Sequence, residues 1–311
     1  MHTKDAKRKI ILTGATGAIG LAVINKCIEM QWEVCAVVRP DSARNQRIPT
    51  NDLIHVIPCD LSEIYTLCKL DACKGADYFM HLAWTGTFGE QRNDDAMQQN
   101  NVKYALNACE TAHLLGCEAF LFAGSQAEFG RVEGVLNDKV PVNPENAYGR
   151  AKLEAGTRTL ELCRQKGMRH VYMRILSVYG PGDGADTMVS STIRKLEAGI
   201  SPQFTAGEQL WDYLYCDDAA EALVLACLKG KTGRIYCLGS GVARPLHEYI
   251  SLIGQIVNPQ IKLQIGALPY REKQVMHLCA DISDLQEDFG FVPRIGFEEG
   301  IKRTYESGTW E

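Results

Sequence analysis

The feature that most constrains the fold is an alternation of short β-rich runs with longer amphipathic runs over the first two thirds of the chain. The predicted strands, each followed by a helix-length segment, are Lys9–Thr13, Glu33–Val38, Leu53–Ile57, Asp77–Leu82, Ala119–Ala123 and His170–Ile175. Alternation of this kind is typical of a parallel sheet with helices on both faces. The sequence therefore predicts an α/β fold built on a doubly wound parallel sheet.

A glycine-rich turn, Thr13–Gly20, follows the first predicted strand and opens a helix-like segment. Glycines allow a tight turn and a close approach of a pyrophosphate to the backbone, while the helix N-terminus offers N–H donors. A plain structural turn is the alternative, but the strand–turn–helix context favours a dinucleotide site and hence a Rossmann-like domain. The residues of this turn expected to contact the cofactor are Gly14, Thr16, Gly17, Ala18 and Ile19.

The segment after the second predicted strand bears on the choice of cofactor. An acidic residue at this place favours NAD, whereas an arginine accommodates the 2′-phosphate of NADP. Arg39 comes first, and Arg44 and Arg47 follow closely, so NADP(H) is favoured and NAD(H) stays possible. In the alternative interpretation Asp41 binds the ribose hydroxyls and the arginines are only solvated. Asp60, after the third strand, is a predicted adenine contact.

The pattern changes after the glycine-rich segment 179–184, where the elements become shorter and turn residues more frequent. Two later apolar strands are predicted within residues 211–240. We expect residues 1–178 to form the dinucleotide-binding domain, with 211–240 returning to it. Residues 179–210 and 241–311 are expected to form a smaller C-terminal substrate-binding lobe.

Tyr148 and Lys152 stand four residues apart, which places both on one face of a helix. A nearby cation favours the phenolate, so the pKa of this tyrosine should fall and allow proton transfer. Tyr65 and Lys69 share the spacing, but no hydroxyl residue stands at the end of the strand before them, so we interpret them as helix surface. Tyr148 follows Ser125, which comes directly after the fifth predicted strand, where strand ends line a ligand crevice. Ser125, Tyr148 and Lys152 are therefore the predicted catalytic residues.

Other features exclude several classes of function. The formal net charge of −5 argues against a nucleic-acid-binding surface. The twelve cysteines include no Cys-x-x-Cys pair and many lie in apolar runs, which indicates reduced core thiols in a cytoplasmic protein, with no metal site. The apolar run after the basic N-terminal segment is too short for a signal peptide or a membrane span.

Taken together, the motifs resemble the extended short-chain dehydrogenases/reductases, in the branch of nucleotide-sugar epimerases, dehydratases and ketoreductases. The resemblance covers nearly the whole chain and rests on Thr13–Gly20, Asp60-Leu61, His81-Leu82-Ala83, Asn100–Val102, Ser125–Gly130, Tyr148–Lys152, Arg174–Pro181, Trp211–Asp218 and Arg271. It implies that Ser125 hydrogen-bonds the reacting oxygen, that Tyr148 is the general acid/base, and that Lys152 also binds the nicotinamide ribose.

The resemblance also implies contacts outside these three residues. Further cofactor contacts are expected from Leu61, Leu82, Ala83 and Asn101. A nucleoside diphosphate is expected in the C-terminal lobe, with substrate contacts from Trp84, Gln126, Ser177, Trp211 and Arg271.

Departures from the family pattern narrow the range of reactions that we expect this chain to catalyse. Dehydratases of this branch carry an Asp-Glu pair after the catalytic hydroxyl, because water elimination needs an extra acid and base. Gln126 and Ala127 stand there instead, and Glu128 is a poor substitute, so dehydration is not expected. Ser177 stands where many 4-epimerases carry asparagine and resembles the 4-ketoreductases.

A second departure concerns the diphosphate. Trp211 replaces the usual arginine of a later motif, and it either stacks on a base or simply packs. Arg271 should therefore bind more of the diphosphate than is usual, unless it pairs with Glu272 on the surface.

The leading interpretation is NADPH-dependent reduction of a nucleoside-diphosphate 4-keto-6-deoxyhexose with Tyr148 as general acid. The alternative is an NAD-dependent nucleotide-sugar 4-epimerase, and a third possibility of another class is a non-catalytic dinucleotide sensor. In this family two helices, here about 93–114 and 144–166, pair across a two-fold axis, so we expect a homodimer. Met97, Tyr104 and Leu153 could supply its seam, and burial inside the monomer is the alternative.

Overall fold

Two sheets and the helices around them make up the structure, a computed structural model that describes residues 7–309. The strands are β1 (Lys9–Thr13), β2 (Glu33–Val38), β3 (Ile54–Pro58), β4 (Tyr78–His81), β5 (Ala119–Ser125), β6 (Arg169–Ile175), β7 (Ser177–Tyr179), β8 (Leu210–Tyr215), β9 (Ile235–Leu238), β10 (Ala243–Pro245) and β11 (His277–Leu278). The α-helices are α1 (Ala18–Glu29), α2 (Asp95–Leu114), α3 (Ala147–Lys166), α4 (Met188–Glu197), α5 (Cys216–Lys229), α6 (Leu246–Val257), α7 (Ser283–Phe289) and α8 (Phe297–Glu306).

The larger sheet contains seven strands in the order β3-β2-β1-β4-β5-β6-β9, and all of its pairings are parallel. The predicted doubly wound α/β sheet is therefore confirmed. The strand order reverses between β1 and β4, and a crevice opens at such a switch point beyond the carboxyl ends of the strands. The glycine-rich turn after β1 lies at this crevice.

Apolar side chains fill both faces of the large sheet, because successive residues of a strand point to opposite sides. Ile10 and Leu12 of β1 belong to one core with α1 and α5. Ile11, between them, belongs to the other core with α2 and α3. The sheet is thus covered by helices on both faces, which leaves its carboxyl edge as the open place for a ligand.

The smaller sheet is arranged around β8, which pairs with β7 and β11 in parallel and with β10 antiparallel. Residues 211–240 were expected to return to the dinucleotide-binding domain, and the two strands in this range differ in the sheet that they join. Only β9 reaches the large sheet, where it pairs with β6 at the edge. Strand β8 stays in the small sheet because its aromatic Tyr213 packs there against Tyr249 and Phe297.

A buried carboxylate, that of Asp212, ties the small sheet together. It accepts hydrogen bonds from the backbone N–H groups of Ser240, Gly241 and Ala280 and from the Ser240 hydroxyl, at 2.6 to 3.1 Å. These charge-assisted hydrogen bonds replace the water that the carboxylate loses on burial. They hold β8 beside the loops that follow β9 and β11.

Two further observations concern the whole described chain. Within residues 7–309 no helix is both long and apolar enough to cross a bilayer. All twelve cysteines are free thiols, and all except Cys68 are buried. The first six residues of the basic N-terminal segment lie outside the described residues.

Candidate active site

The glycine-rich turn is shaped by close contacts that only glycine allows. Gly14 has a φ of +75°, and a Cβ there would lie 2.8 Å from the backbone nitrogen of Ala83. A Cβ on Gly20 would collide with the carbonyl of Gly14. The turn ends at Gly17, after which α1 begins. The backbone therefore approaches the crevice directly, and the N–H groups of the first turn of α1 are available to an anion.

A cavity of about 820 Å³ opens at the carboxyl ends of the first four strands. Nine residues predicted for the cofactor line it, namely Gly14, Thr16, Gly17, Arg39, Asp60, Leu61, Leu82, Ala83 and Asn101. Ala18 and Ile19, predicted with them, are not among the lining residues and form the start of α1. The elongated set of lining segments, from the glycine turn to β3 and β4, suits a dinucleotide.

Met97 and Tyr104 line this cavity from α2. Their apolar pattern allowed either a dimer seam or burial inside the monomer, and neither residue was predicted to contact a cofactor. Leu153, their expected neighbour at the seam, lies on α3 and is half-buried. The apolar pattern of α2 alone could not tell which surface these side chains cover, because a helix face can pack inside the monomer or against a partner.

One end of the cavity carries the arginines that bear on the choice of cofactor. Arg39 and Arg44 line it, whereas Asp41 does not and has a φ of +56° in the turn after β2. Asp60 lies opposite, where its carboxylate accepts hydrogen bonds from the backbone and hydroxyl of Ser62. Those hydrogen bonds, and to a smaller degree the charge of Arg39, lower the pKa of Asp60. This end therefore offers two cationic side chains to an anionic group.

Asn101 holds one wall of the cavity in place by hydrogen bonds to the backbone of Thr85. Its buried amide accepts a hydrogen bond from the Thr85 N–H at 3.0 Å and donates one to the Thr85 carbonyl at 2.8 Å. Thr85 belongs to the loop that leaves β4 and includes Ala83 and Trp84. The side chain of Asn101 thus fixes the loop against which a bound cofactor would lie.

The three predicted catalytic residues meet beside this cavity. Ser125 is the last residue of β5, which extends two residues beyond the predicted strand, and Tyr148 and Lys152 lie on α3. Helix α3 begins after Asn146, whose side chain caps it by accepting a hydrogen bond from the Gly149 N–H at 2.8 Å. The Ser125 hydroxyl accepts a hydrogen bond from the Ala127 N–H at 3.2 Å and lies close enough to Tyr148 to lower the pKa of the tyrosine, and Lys152 Nζ donates to the Ala123 carbonyl at 2.7 Å.

Burial controls the protonation of the pair on α3. It raises the pKa of Tyr148, against the lowering effects of the nearby Ser125 hydroxyl and the positive charge of Arg92. It also lowers the pKa of Lys152 to about 7, although the carboxylate of Glu128 acts in the opposite direction. The sequence pattern predicts a lowered pKa for Tyr148, but in this structure burial outweighs the nearby positive charge and the pKa is raised.

Trp84 contacts both members of the pair. The Nζ of Lys152 lies 3.9 Å from the centroid of the Trp84 ring, which also meets the Tyr148 ring edge-on at 6.2 Å. The indole N–H donates a hydrogen bond of 2.8 Å to the buried side chain of Gln98. Trp84, predicted as a substrate contact, thus lines the large cavity and contacts Tyr148 in a fixed orientation.

Glu128 is not available to this site as a third acid/base group. Its carboxylate is buried and accepts hydrogen bonds from the Ser125 backbone N–H, the Tyr172 hydroxyl and Arg174 Nε, at 2.6 to 2.8 Å. The Arg174 side chain is likewise buried. Glu128 therefore points into the core beneath Ser125, away from any ligand. The spacing Ser125-x-x-Glu128, a capping-box pattern, is the sequence signal that could have identified this role.

A second, smaller cavity of about 360 Å³ opens near Tyr148. Gln126, predicted to contact the substrate, lines it, together with three cationic side chains that the sequence analysis missed, Arg92, Arg131 and Lys273. Arg131 pairs with Glu145, which also lines the cavity, through two oxygens at 2.9 and 3.0 Å. No motif surrounds Arg92 or Lys273, so only the fold brings them to the site.

The other predicted substrate residues lie farther into the C-terminal part. Trp211 on β8 donates its indole N–H to the hydroxyl of Ser177 on β7 at 2.8 Å, and it packs against the apolar cluster around Phe129. Arg271 is exposed in the loop before β11. The structure thus brings Ser177 and Trp211 together, and it does not gather all the predicted substrate residues around one cavity.

Most of the chain matches a known protein family. The family model described as NAD dependent epimerase/dehydratase family matches residues 10–239. That range runs from β1 to the end of β9 and includes the glycine turn, Ser125, Tyr148 and Lys152.

Three proteins with similar sequences or folds are named as enzymes of nucleotide sugars. The chain is 24% identical to a dTDP-6-deoxy-L-talose 4-dehydrogenase (NAD(+)) of Aggregatibacter actinomycetemcomitans, over 86% of this chain and 97% of that protein. A UDP-N-acetylglucosamine 4-epimerase of Methanobrevibacter ruminantium has a similar fold, with a TM-score of 0.87, 22% identity and coverage of 97% and 98% of the two chains. A UDP-glucuronic acid 4-epimerase of Bacillus cereus, solved in complex with NAD, has a TM-score of 0.82 at 20% identity, covering 96% of each chain.

Proposed function

Because this chain belongs to the NAD dependent epimerase/dehydratase family, we propose that it is an NADPH-dependent reductase of a nucleoside-diphosphate 4-keto-6-deoxyhexose. The observation that carries the proposal is the meeting of Ser125, Tyr148 and Lys152 beside a cavity whose far end holds Arg39 and Arg44. The dTDP-6-deoxy-L-talose 4-dehydrogenase supports the substrate class, since its name describes oxidation at C4 of a nucleotide-linked 6-deoxyhexose. Carbonyl reduction is the reverse of such an oxidation.

The residues of the large cavity fit a bound nicotinamide dinucleotide. The glycine turn and the first turn of α1 would receive its pyrophosphate, because Gly14 has no room for a side chain and the backbone N–H groups there are free to donate. Leu82, Ala83 and Asn101 would line the nicotinamide half, and Asp60 and Leu61 the adenine half. When bound, the reduced cofactor supplies the hydride.

The chain's own groups would handle the oxygen and its proton. Ser125 would hold the carbonyl oxygen by a hydrogen bond, and Tyr148 would transfer its phenolic proton to that oxygen as the carbon accepts hydride. Tyr148 would then be a phenolate until solvent returns the proton, so ketone, NADPH and one proton give alcohol and NADP⁺. Lys152 would hold the nicotinamide ribose from the next turn of α3. Dehydration is not proposed, because Gln126 and Ala127 are not acids and Glu128 is paired with Arg174.

A second candidate is an NAD-dependent nucleotide-sugar 4-epimerase. It is supported by the fold similarity to two 4-epimerases, one of them solved with NAD. The same Tyr148 would then act as a base before it acts as an acid. The two candidates differ in how the cofactor is used, since an epimerase returns the hydride to the sugar and a reductase consumes NADPH.

The proposal is tested by NADPH oxidation with a panel of nucleoside-diphosphate 4-keto sugars. A reductase should be purified without cofactor and should oxidise NADPH in step with product formation. Tightly retained NAD(H), with interconversion of 4-epimers and no net NADPH oxidation, would overturn the reductase in favour of the epimerase. Dinucleotide binding without turnover of any nucleotide sugar would instead identify a non-catalytic sensor.

We propose that Arg39 selects NADPH over NADH. Arg39→Ala should weaken NADPH binding by about 1.5–3 kcal/mol, the range for a hydrogen bond to a charged group, and should leave NADH nearly unchanged. Titration of both cofactors by fluorescence measures the two losses in the same protein. Equal losses for NADPH and NADH would mean that Arg39 supports the loop and does not bind a 2′-phosphate.

We propose that Arg271 binds the substrate diphosphate. Arg271→Met should raise the KM for the nucleotide sugar at least tenfold (about 1.4 kcal/mol) and leave cofactor affinity unchanged, because only an anion contact is lost. Steady-state kinetics with Lys273→Met as the neighbouring variant separates the two side chains of this loop. A KM that rises for Lys273→Met and not for Arg271→Met would indicate that the diphosphate binds in the second cavity and not at Arg271.

The division into two binding regions, the homodimer and the cellular location are also proposals. We propose that residues 1–178 bind the dinucleotide, with β9 and α5 from 211–240, and that 179–210 and 241–311 bind the sugar nucleotide. A homodimer formed through α2 and α3 is also proposed, and the molar mass from light scattering is the relevant measurement. The many buried free thiols favour a cytoplasmic location.

A further inference from the structure

Arg92 is a cation at the candidate site that no motif assigns. It lies in the short 3₁₀ segment Gly89–Asn93, between β4 and α2, and its guanidinium carbon is 4.5 Å from the centroid of the Tyr148 ring. Its Nη1 donates a hydrogen bond to the Thr87 carbonyl at 3.3 Å, which helps to fix the side chain. Within residues 7–309 no carboxylate forms an ion pair with Arg92.

Lys152, the cation that the spacing on α3 would assign to Tyr148, is engaged elsewhere. Its Nζ is 5.9 Å from the Tyr148 ring centroid, lies on the Trp84 ring and donates to the Ala123 carbonyl. Burial also lowers the pKa of Lys152 to about 7, so its charge is partly lost near neutral pH. An arginine keeps its charge throughout this range.

We propose that Arg92 is a positioning residue for Tyr148, whose guanidinium stabilises the phenolate that forms when Tyr148 gives up its proton. This role rests on the proposed reduction, in which Tyr148 is the acid. A cation on a ring face attracts the electrons of a phenol, and it attracts the charge of a phenolate more strongly. Arg92 also lines the second cavity together with Gln126, so the guanidinium that contacts the Tyr148 ring borders a space open to a ligand.

The direction of the effect follows from the charge. Removing a nearby positive charge raises the pKa of a phenol, and burial already raises that of Tyr148. In a reductase, kcat/KM falls at high pH as the tyrosine loses its proton, so this fall should move to still higher pH without Arg92. The rate below that pH should drop, because a weaker acid transfers its proton more slowly.

The test uses Arg92→Gln, with Arg92→Lys as the variant that keeps the charge. Arg92→Gln should lower kcat about tenfold, leave the KM for the nucleotide sugar within threefold and move the high-pH fall of kcat/KM upward by about one pH unit. Arg92→Lys should recover most of the rate and the original profile. Arg150→Gln, which removes an exposed arginine of α3 paired with Asp95, is the matched control and should behave as the wild-type protein.

A readout that needs no substrate separates failure of this role from failure of the proposed function. The ionisation of Tyr148 is measured by a pH titration, as the difference in tyrosinate ultraviolet absorbance between the wild-type protein and Tyr148→Phe. Repeated in the Arg92→Gln background, that difference should appear at higher pH. An unchanged ionisation would overturn the role of Arg92 even if the reductase is confirmed, and so would a raised KM with unchanged kcat. A shifted ionisation without any turnover would support the role and overturn the reductase.

Discussion

Tyr148→Phe is expected to lower kcat by ~10²–10⁴-fold, the contribution typical of a general acid. The phenyl ring can still meet the edge of Trp84 and lie under the Arg92 guanidinium, so the packing of the site should persist. Only the hydroxyl that transfers the proton is lost. Initial rates of NADPH oxidation at saturating nucleotide sugar measure the change, and fluorescence titration should show that cofactor affinity is retained.

The matched control for this variant is Tyr65→Phe. Tyr65 precedes a lysine by the same four residues, but its hydroxyl donates to Asn107 on α2 at the exposed surface. Loss of that contact should leave kcat within a factor of two, since an exposed hydrogen bond contributes little. A Tyr148→Phe protein that keeps a tenth of the wild-type rate, or a Tyr65→Phe protein that is equally impaired, would contradict the assignment of the acid.

Glu128→Ala is expected to lower the free energy of unfolding by about 3–5 kcal/mol. The substitution leaves the buried Arg174 guanidinium without its carboxylate, and breaking a buried ion pair from one side has an effect of this size. It also removes the acceptor of the Ser125 N–H and of the Tyr172 hydroxyl. Equilibrium unfolding in urea, followed by circular dichroism, gives the change.

Glu145→Ala is the matched control for Glu128→Ala, because it breaks a carboxylate–arginine pair of similar length at the surface. The Arg131–Glu145 pair is partly exposed, with 43% and 29% of the two side chains accessible. Exposed pairs contribute about 0–1 kcal/mol. Similar losses in the free energy of unfolding for the two variants would contradict the stabilising role of the buried Glu128–Arg174 pair. Glu128 would then be a candidate acid or base.

The strands of the large sheet were predictable because each is a short apolar run closed by turn residues. Strands β1 and β2 begin and end at the residues that the sequence indicated, and β3 differs by one residue at each end. Strand β5 continues to Ser125 because small residues there still pair with β6. For β8 the alternation indicated a strand but could not say which sheet it joins, since that depends on aromatic packing far along the chain.

The site was predictable to the extent that its residues follow strand ends. The glycine turn, Asp60, Ala83 and Ser125 stand at carboxyl ends of parallel strands, which must meet at one edge of the sheet. Arg92 could not be predicted, because it lies in a short 3₁₀ segment and reaches Tyr148 only through tertiary packing. The same is true of the protonation of Lys152, which depends on burial that no local spacing encodes.

The most direct test of the reductase is the fate of the hydride. The protein is incubated with a nucleoside-diphosphate 4-keto-6-deoxyhexose and NADPH that carries deuterium at both C4 positions of the nicotinamide, and the products are analysed by mass spectrometry and nuclear magnetic resonance. For a reductase we expect one deuterium at C4 of the sugar for each NADPH oxidised, and no such transfer with Tyr148→Phe. A 4-epimerised sugar without deuterium and without NADPH oxidation would show that the protein is not a reductase.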